Sequence, residues 1–209
     1  VLALGGGGIW ALTRSSDPLS MVTAPILQAQ QDLSNIGKEL AAAPFDANGT
    51  TTITSKQLGI KAASPFSIKV QLLHGGRQEG VMLVTIDTGA MKISVVPNRG
   101  MNVAQAVSGK VRLGWKSPVR EIVNPAFLDQ GARNGIGWLE GFNDLLTRCG
   151  YEWVGHAGAD EDGTMLTLHG LAANIPASNV ILSVDEKPPY TIRLKGLLRE
   201  QAFKKVDFT

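Results

Sequence analysis

Val81 to Val96, which reads VMLVTIDTGAMKISVV, decides the fold. Val81 to Asp87 and Met91 to Val96 are runs of β length rich in Val and Ile, and Thr88-Gly89 between them is hairpin-turn chemistry. On the N-terminal side, Phe66 to Leu73 (FSIKVQLL) is a further run, set off by His74-Gly75-Gly76-Arg77-Gln78-Glu79-Gly80. On the other side, Val103 to Val107 and Val111 to Trp115 flank Ser108-Gly109 as another pair. The pattern predicts a meander of antiparallel hairpins. Ser117 to Gly150 breaks the rhythm, with at most a short helix around Trp138 to Leu146. Such a long irregular stretch inside a β domain is more often a functional loop than an accident. Strands resume at Met165 to His169, Asn179 to Asp185 and Tyr190 to Arg199, the last two joined by Glu186-Lys187-Pro188-Pro189.

Composition agrees with this reading. In 209 residues, 44% hydrophobic content is ample for a core, while 24 glycines, 10 prolines and only 18% charged residues favour a turn-rich β protein over a helical bundle. Twenty basic against eighteen acidic residues leave a net charge of +2 with no long Lys/Arg block, so nucleic acid is not expected as a partner. The single cysteine, Cys149, excludes an intrachain disulfide and a Cys-rich zinc site.

Before the strands, Ile26, Leu27, Leu33, Ile36 and Leu40 recur at helical spacing, which predicts an amphipathic helix within Thr23 to Ala43. Two regions are therefore expected: an arm and helix over 1–50, and a β domain over 51–209. Val1 to Leu12 (VLALGGGGIWAL) is apolar but too short to span a bilayer, so no membrane span is expected. It reads equally as the remnant of a signal peptide, which would imply a periplasmic or secreted protein, or as a flexible arm, which leaves the cytoplasm open.

Two strand ends carry polar residues beside glycine. Val96-Pro97-Asn98-Arg99-Gly100-Met101 places Arg99 where it can offer a donor fork to ligand oxygens, or cap strand carbonyls. Leu166-Thr167-Leu168-His169-Gly170 places an imidazole next to a residue that allows close backbone approach. Trp138-Leu139-Glu140-Gly141-Phe142-Asn143-Asp144 joins an aromatic platform to carboxylates and an amide, the mixture that holds sugar hydroxyls; its plainer reading is a turn that packs Trp138 and Phe142 into the core. His74 reads as a turn histidine, and Asp160-Glu161-Asp162 lacks calcium-loop spacing and reads as a solvated loop. No metal site and no cofactor are expected.

Taken in order, Gly75-Gly76-Arg77-Gln78-Glu79-Gly80, Pro97-Asn98-Arg99-Gly100-Met101, Gly114-Trp115 with Ser117-Pro118, Gly137-Trp138-Leu139-Glu140-Gly141-Phe142, Arg148-Cys149-Gly150, Leu168-His169-Gly170 and Asn174-Ile175-Pro176-Ala177 resemble the DUF4432 family. That family is similar to the aldose 1-epimerases of the galactose mutarotase-like group. The resemblance covers roughly Thr51 to Glu200 and stops after Phe203. It implies an all-β, antiparallel β-sandwich of the mutarotase supersandwich type and interconversion of sugar anomers by acid/base ring opening. It also implies His169 as the catalytic histidine. Arg99 is the implied pocket arginine; Trp138, Glu140 and Asn143 are expected on the rim of the same cleft, and Arg77 and Asn174 are further expected sugar contacts. Leu171 departs from the pattern, since many relatives carry a basic residue there.

Relatives are longer, and their second half holds a further histidine and a carboxylate. The sequence is thus expected to be an incomplete sandwich with open strand edges, which favours a homodimer or other association. Three functions remain open at this point: a mutarotase-like isomerase acting on a small sugar, a carbohydrate-binding or sensing protein without catalysis, and an interaction module that docks through its edges.

Overall fold

The computed structural model describes residues 48–151 and 153–200, together with Lys38–Glu39. The chain divides into two compact units, Val1–Leu40 with Ser183–Ile192, and Ala41–Leu182 with Arg193–Thr209. In the first, β1 (Lys38–Glu39) pairs antiparallel with Val184 and Ser183. Lys38 and Glu39 are therefore strand rather than part of the predicted helix, because their backbone groups face a cross-strand partner; the rest of 23–43 lies outside the described residues. In the same unit, Asp185 N–H donates to the Thr191 carbonyl at 3.0 Å and closes the turn that holds Pro188 and Pro189.

The second unit is built on a sheet of β2 (Thr50–Thr54), β3 (Ser67–Leu72), β4 (Met82–Asp87), β5 (Lys92–Val96), β6 (Asn102–Ser108) and β7 (Val111–Leu113). Its six strands pair in chain order and antiparallel throughout. Short strands β8 (Gly158–Ala159) and β9 (Met165–Leu166) form a separate ribbon, and β10 (Ser178–Val184) and β11 (Ile192–Leu197) are neighbours in a three-stranded sheet. The fold is all-β and mostly antiparallel.

Register gives the large sheet two unlike faces, since a strand sends alternate side chains to opposite sides. Ile53, Ile68, Ile86, Ile93 and Ala106 stand opposite one another across five strands, with Val70, Val84 and Val95 in the next row. Ile68 and Val84 are essentially inaccessible to solvent, and burial of such a side chain contributes about 1.5–3 kcal/mol. On the other face, Thr52, Lys69, Thr85, Ser94 and Gln105 form the matching row. A register shift between Ser94 and Val95 leaves Ala104 as an extra residue in β6, a bulge that bends this edge of the sheet.

The stretch 117–150 holds 3-10 turns at Pro125–Phe127 and Gly137–Gly141, and the helix expected over Trp138 to Leu146 ends at its first turn. Phe142 is already extended because the next residues are tied sideways: Asn143 and Asp144 bond to other elements instead of continuing the turn.

Candidate functional site

The turn from β5 into β6 is clamped on all sides. Asn98 Oδ1 accepts Met82 N–H at 2.7 Å, Gly100 N–H donates to the Ile175 carbonyl at 3.0 Å, and Ala177 N–H donates to the Pro97 carbonyl at 2.9 Å. Gly100, at φ 54°, lies so close to the Ala172 carbonyl that no side chain fits. Arg99 is thereby sent inward and is fully buried.

Its guanidinium meets Asp144, itself inaccessible, with Nη2 3.0 Å from Oδ2. Nη1 donates to the Gly141 carbonyl and to Asn143 Oδ1. The Nη2–Oδ2 approach is off the hydrogen-bond direction, so the attraction is chiefly Coulombic. Burial pulls the Arg99 pKa below its ordinary value and pushes Asp144 up, with the mutual attraction opposing both shifts. Asn102 completes the cluster: Nδ2 lies within reach of Asp144 Oδ2, Thr147 Oγ1 and the Ala173 carbonyl, and Oδ1 accepts Arg148 N–H at 3.0 Å. Arg99 is thus turned into the interior of the structure. Its Nη1 is bonded to Gly141 and Asn143 and its Nη2 faces Asp144, while Nε has no hydrogen-bond partner among the described residues, and these contacts tie residues 141–144 to the end of the sheet.

His169 lies beyond a strand that stops earlier than its sequence suggests. β9 ends at Leu166, and 167–170 turn back so that His169 N–H donates to the Gly155 carbonyl at 2.8 Å and its carbonyl accepts Gly150 N–H at 2.9 Å. His169 has φ 58°, an uncommon conformation for a residue with a side chain and one that clusters at functional sites. Gly170, at φ 74°, sits against the carbonyls of Gly150 and Trp153 with no room for a Cβ. The half-buried imidazole meets Trp138 edge-on, with ring centroids 5.2 Å apart at 76°. Trp138 packs on Phe142 at 4.7 Å, and Phe142 on Trp115 at 5.1 Å, so an aromatic row runs outward from His169. Trp138 is buried, and its Nε1 has no hydrogen-bond partner among the described residues.

The remaining expected contacts separate into groups. Glu140 Oε1 accepts from Arg133 Nη2 at 2.9 Å and is partly exposed. Arg77 lies 3.9 Å from Glu121 and reaches the Glu140 carbonyl at 3.5 Å. Asn143 bridges Arg99 to the carbonyls of Val119 and Glu121. Asn174 is buried and donates to Gln130 Oε1 at 3.1 Å, leaving its own Oδ1 unpartnered among the described residues. The structure brings Trp138 to His169 and Asn143 to Arg99. The sequence grouped Asp144 with the carboxylates of the Trp138 motif but did not show it as the counter-ion of Arg99, for which the only signal is that a buried arginine needs one. Sequence reasoning also missed a cleft of about 480 Å³ over the polar face of the sheet, between Ser94 and Gln105 on one side and Trp115 and Ser117 on the other.

A domain-of-unknown-function family, DUF4432, matches residues 78–209. The chain belongs to this family. The DUF4432 match runs on through Thr209, past the point after Phe203 where the resemblance was expected to stop. A crystal structure titled as a "putative aldose 1-epimerase" from Klebsiella pneumoniae is 48% identical, with a TM-score of 0.73 over 76% of this chain and 41% of that one. This DUF4432 chain therefore spans about two fifths of that protein's length. No curated protein matches it. Among the described residues no helix is long and apolar enough to cross a membrane, and no three His, Cys, Asp or Glu side chains are grouped to hold a metal ion.

Proposed function

We propose that this chain carries part of a sugar site of the aldose 1-epimerase type, with His169 as its proton-transfer group. The observation that supports this most is the half-buried imidazole held at a left-handed backbone position against Trp138, in a chain 48% identical to a protein so described. Anomer exchange needs one group to take the proton from the anomeric hydroxyl and another to protonate the ring oxygen. The bond from C1 to the ring oxygen breaks, C1 turns, and closure returns both protons. An imidazole can serve on either side of that exchange, and the edge of Trp138 fixes its ring.

A specific observation favours binding without catalysis as a second reading. Among the described residues no carboxylate forms an ion pair with His169, and Glu140 is engaged by Arg133. Saturation-transfer NMR with α-D-glucose and α-D-galactose tests the site, and polarimetry of the same freshly dissolved sugars tests the chemistry. We expect sugar contact that His169→Ala removes and His74→Ala leaves intact, with slow mutarotation from this chain alone. Fast equilibration that depends on His169 would establish a second proton-transfer group near it. Sugar contact indifferent to His169→Ala would overturn the site.

A further inference from the structure

We propose that the cleft over the polar face of the large sheet is a binding site for a small hydroxylated anion, a sugar bearing a phosphate or a carboxylate, separate from the site at His169. The inference rests on the cleft's own chemistry and stands whether or not His169 acts on sugars.

Three cationic side chains, Arg112, Lys116 and Arg120, line the cleft and no carboxylate does. In a chain with 20 basic and 18 acidic residues this is a local separation of charge, not a reflection of overall composition. Neither Lys116 nor Arg120 has an ion-pair partner among the described residues. Arg112 is oriented in advance, its Nε donating to Gln105 Oε1 at 3.1 Å and its Nη1 to the Trp115 carbonyl at 3.4 Å. A cation cluster in a concave site attracts anions and binds them through charge-assisted hydrogen bonds.

The walls are built rather than incidental. Ser117, nearly inaccessible, donates to the Phe142 carbonyl at 2.8 Å and accepts Val119 N–H at 3.0 Å, while Asn143 Nδ2 holds the Glu121 carbonyl at 2.8 Å. The segment carrying Lys116 and Arg120 is thus fixed at both ends. Trp115, 42% exposed, offers an aromatic surface to an apolar sugar ring face, and Gln105 offers hydroxyl partners. A volume of about 480 Å³ suits a monosaccharide derivative.

The test is tryptophan fluorescence and calorimetric titration of the purified chain with D-glucose 6-phosphate, D-glucuronate, D-glucose and inorganic phosphate. One or both charged sugars should bind, more weakly at about 300 mM than at about 50 mM salt as screening sets in. Lys116→Gln with Arg120→Gln, both at exposed positions, should weaken that binding at least about tenfold with an unchanged circular dichroism spectrum. His169→Ala should leave it unchanged, which separates this site from the one proposed above. Which charged sugar binds more tightly distinguishes a phosphate from a carboxylate ligand. The proposal is overturned if charged sugars bind no better than D-glucose, or if the double variant binds as the parent does. Inorganic phosphate binding as tightly as D-glucose 6-phosphate would overturn the sugar part.

Discussion

Strand β5 begins with a lysine and is followed, beyond its last residue, by an arginine, and each stands 3.0 Å from a carboxylate: Lys92 from Asp87, Arg99 from Asp144. Equal distance conceals opposite energetics. Lys92 and Asp87 are 61% and 27% exposed, whereas Arg99 and Asp144 are both at 0%. Asp87 is held below the usual carboxylate range, first by the Gly89 N–H and then by Lys92; Asp144 is pushed above it, because burial outweighs the help of Arg99 and Asn102. At one end of the strand a solvated pair tightens a hairpin turn. At the other, a desolvated pair is tolerable only while both partners are present, and it fixes the loop that delivers Trp138 to His169.

The largest effect should come from breaking the buried pair. Arg99→Met leaves the buried Asp144 without its counter-ion, so urea denaturation near neutral pH should show a loss of about 3–5 kcal/mol. Arg99→Met combined with Asp144→Leu should recover most of that loss, since an apolar pair of similar volume removes both desolvation costs. A single substitution costing no more than a surface pair would erase the distinction between the two ends. The pH dependence has a definite sign. Because the folded pKa of Asp144 is raised, its ionisation opposes folding, and its contribution improves as pH falls through the folded pKa toward the ordinary carboxylate value of 3.8.

Asn102 should matter less, but in the same direction. Asn102→Ala strips the buried Asp144 of one hydrogen bond and removes the acceptor of the Arg148 N–H, a loss of about 1–3 kcal/mol. If Asn102 acts through the loop, the ring-current shifts of the Trp138 and His169 resonances should change with it. A stability loss without those shifts would confine its influence to the sheet end.

These contrasts also show which features are local enough to read from sequence. Val81 to Val96 resolves into β4 and β5 within a residue or so, because alternation and a Thr-Gly turn are properties of neighbouring residues. The polar row of Thr85, Ser94 and Gln105 was implicit in the same alternation, since Leu83, Thr85 and Asp87 must share a face. The destination of Arg99 was not legible. Its partner Asp144 lies on a loop whose path is set by tertiary contacts, and an arginine beside glycine looks the same whether it faces a ligand or the core. His169 was placed at a strand end, yet β9 stops at Leu166, because the approach of Gly150 to Gly170 takes the backbone groups a longer strand would have paired.

The smallest effect belongs to the solvated pair and gives the sharpest control. Asp87→Asn removes the attraction to Lys92 and weakens the bond to the Gly89 N–H, and at neutral pH it should cost less than about 1 kcal/mol, the range of exposed ion pairs. The folded pKa of Asp87 is depressed, so its contribution is present above the unfolded value of 3.8 and is lost as pH falls through the folded pKa. Parent and Asp87→Asn stabilities, measured by urea denaturation over falling pH, should therefore converge in strong acid. Added salt should shrink the difference at neutral pH, whereas the cost of Arg99→Met should persist, because solvent ions screen Lys92 and Asp87 but do not reach Arg99 and Asp144. A Asp87→Asn penalty that resists both salt and acid would mean that the turn geometry at Gly89, and not the ion pair, carries the effect.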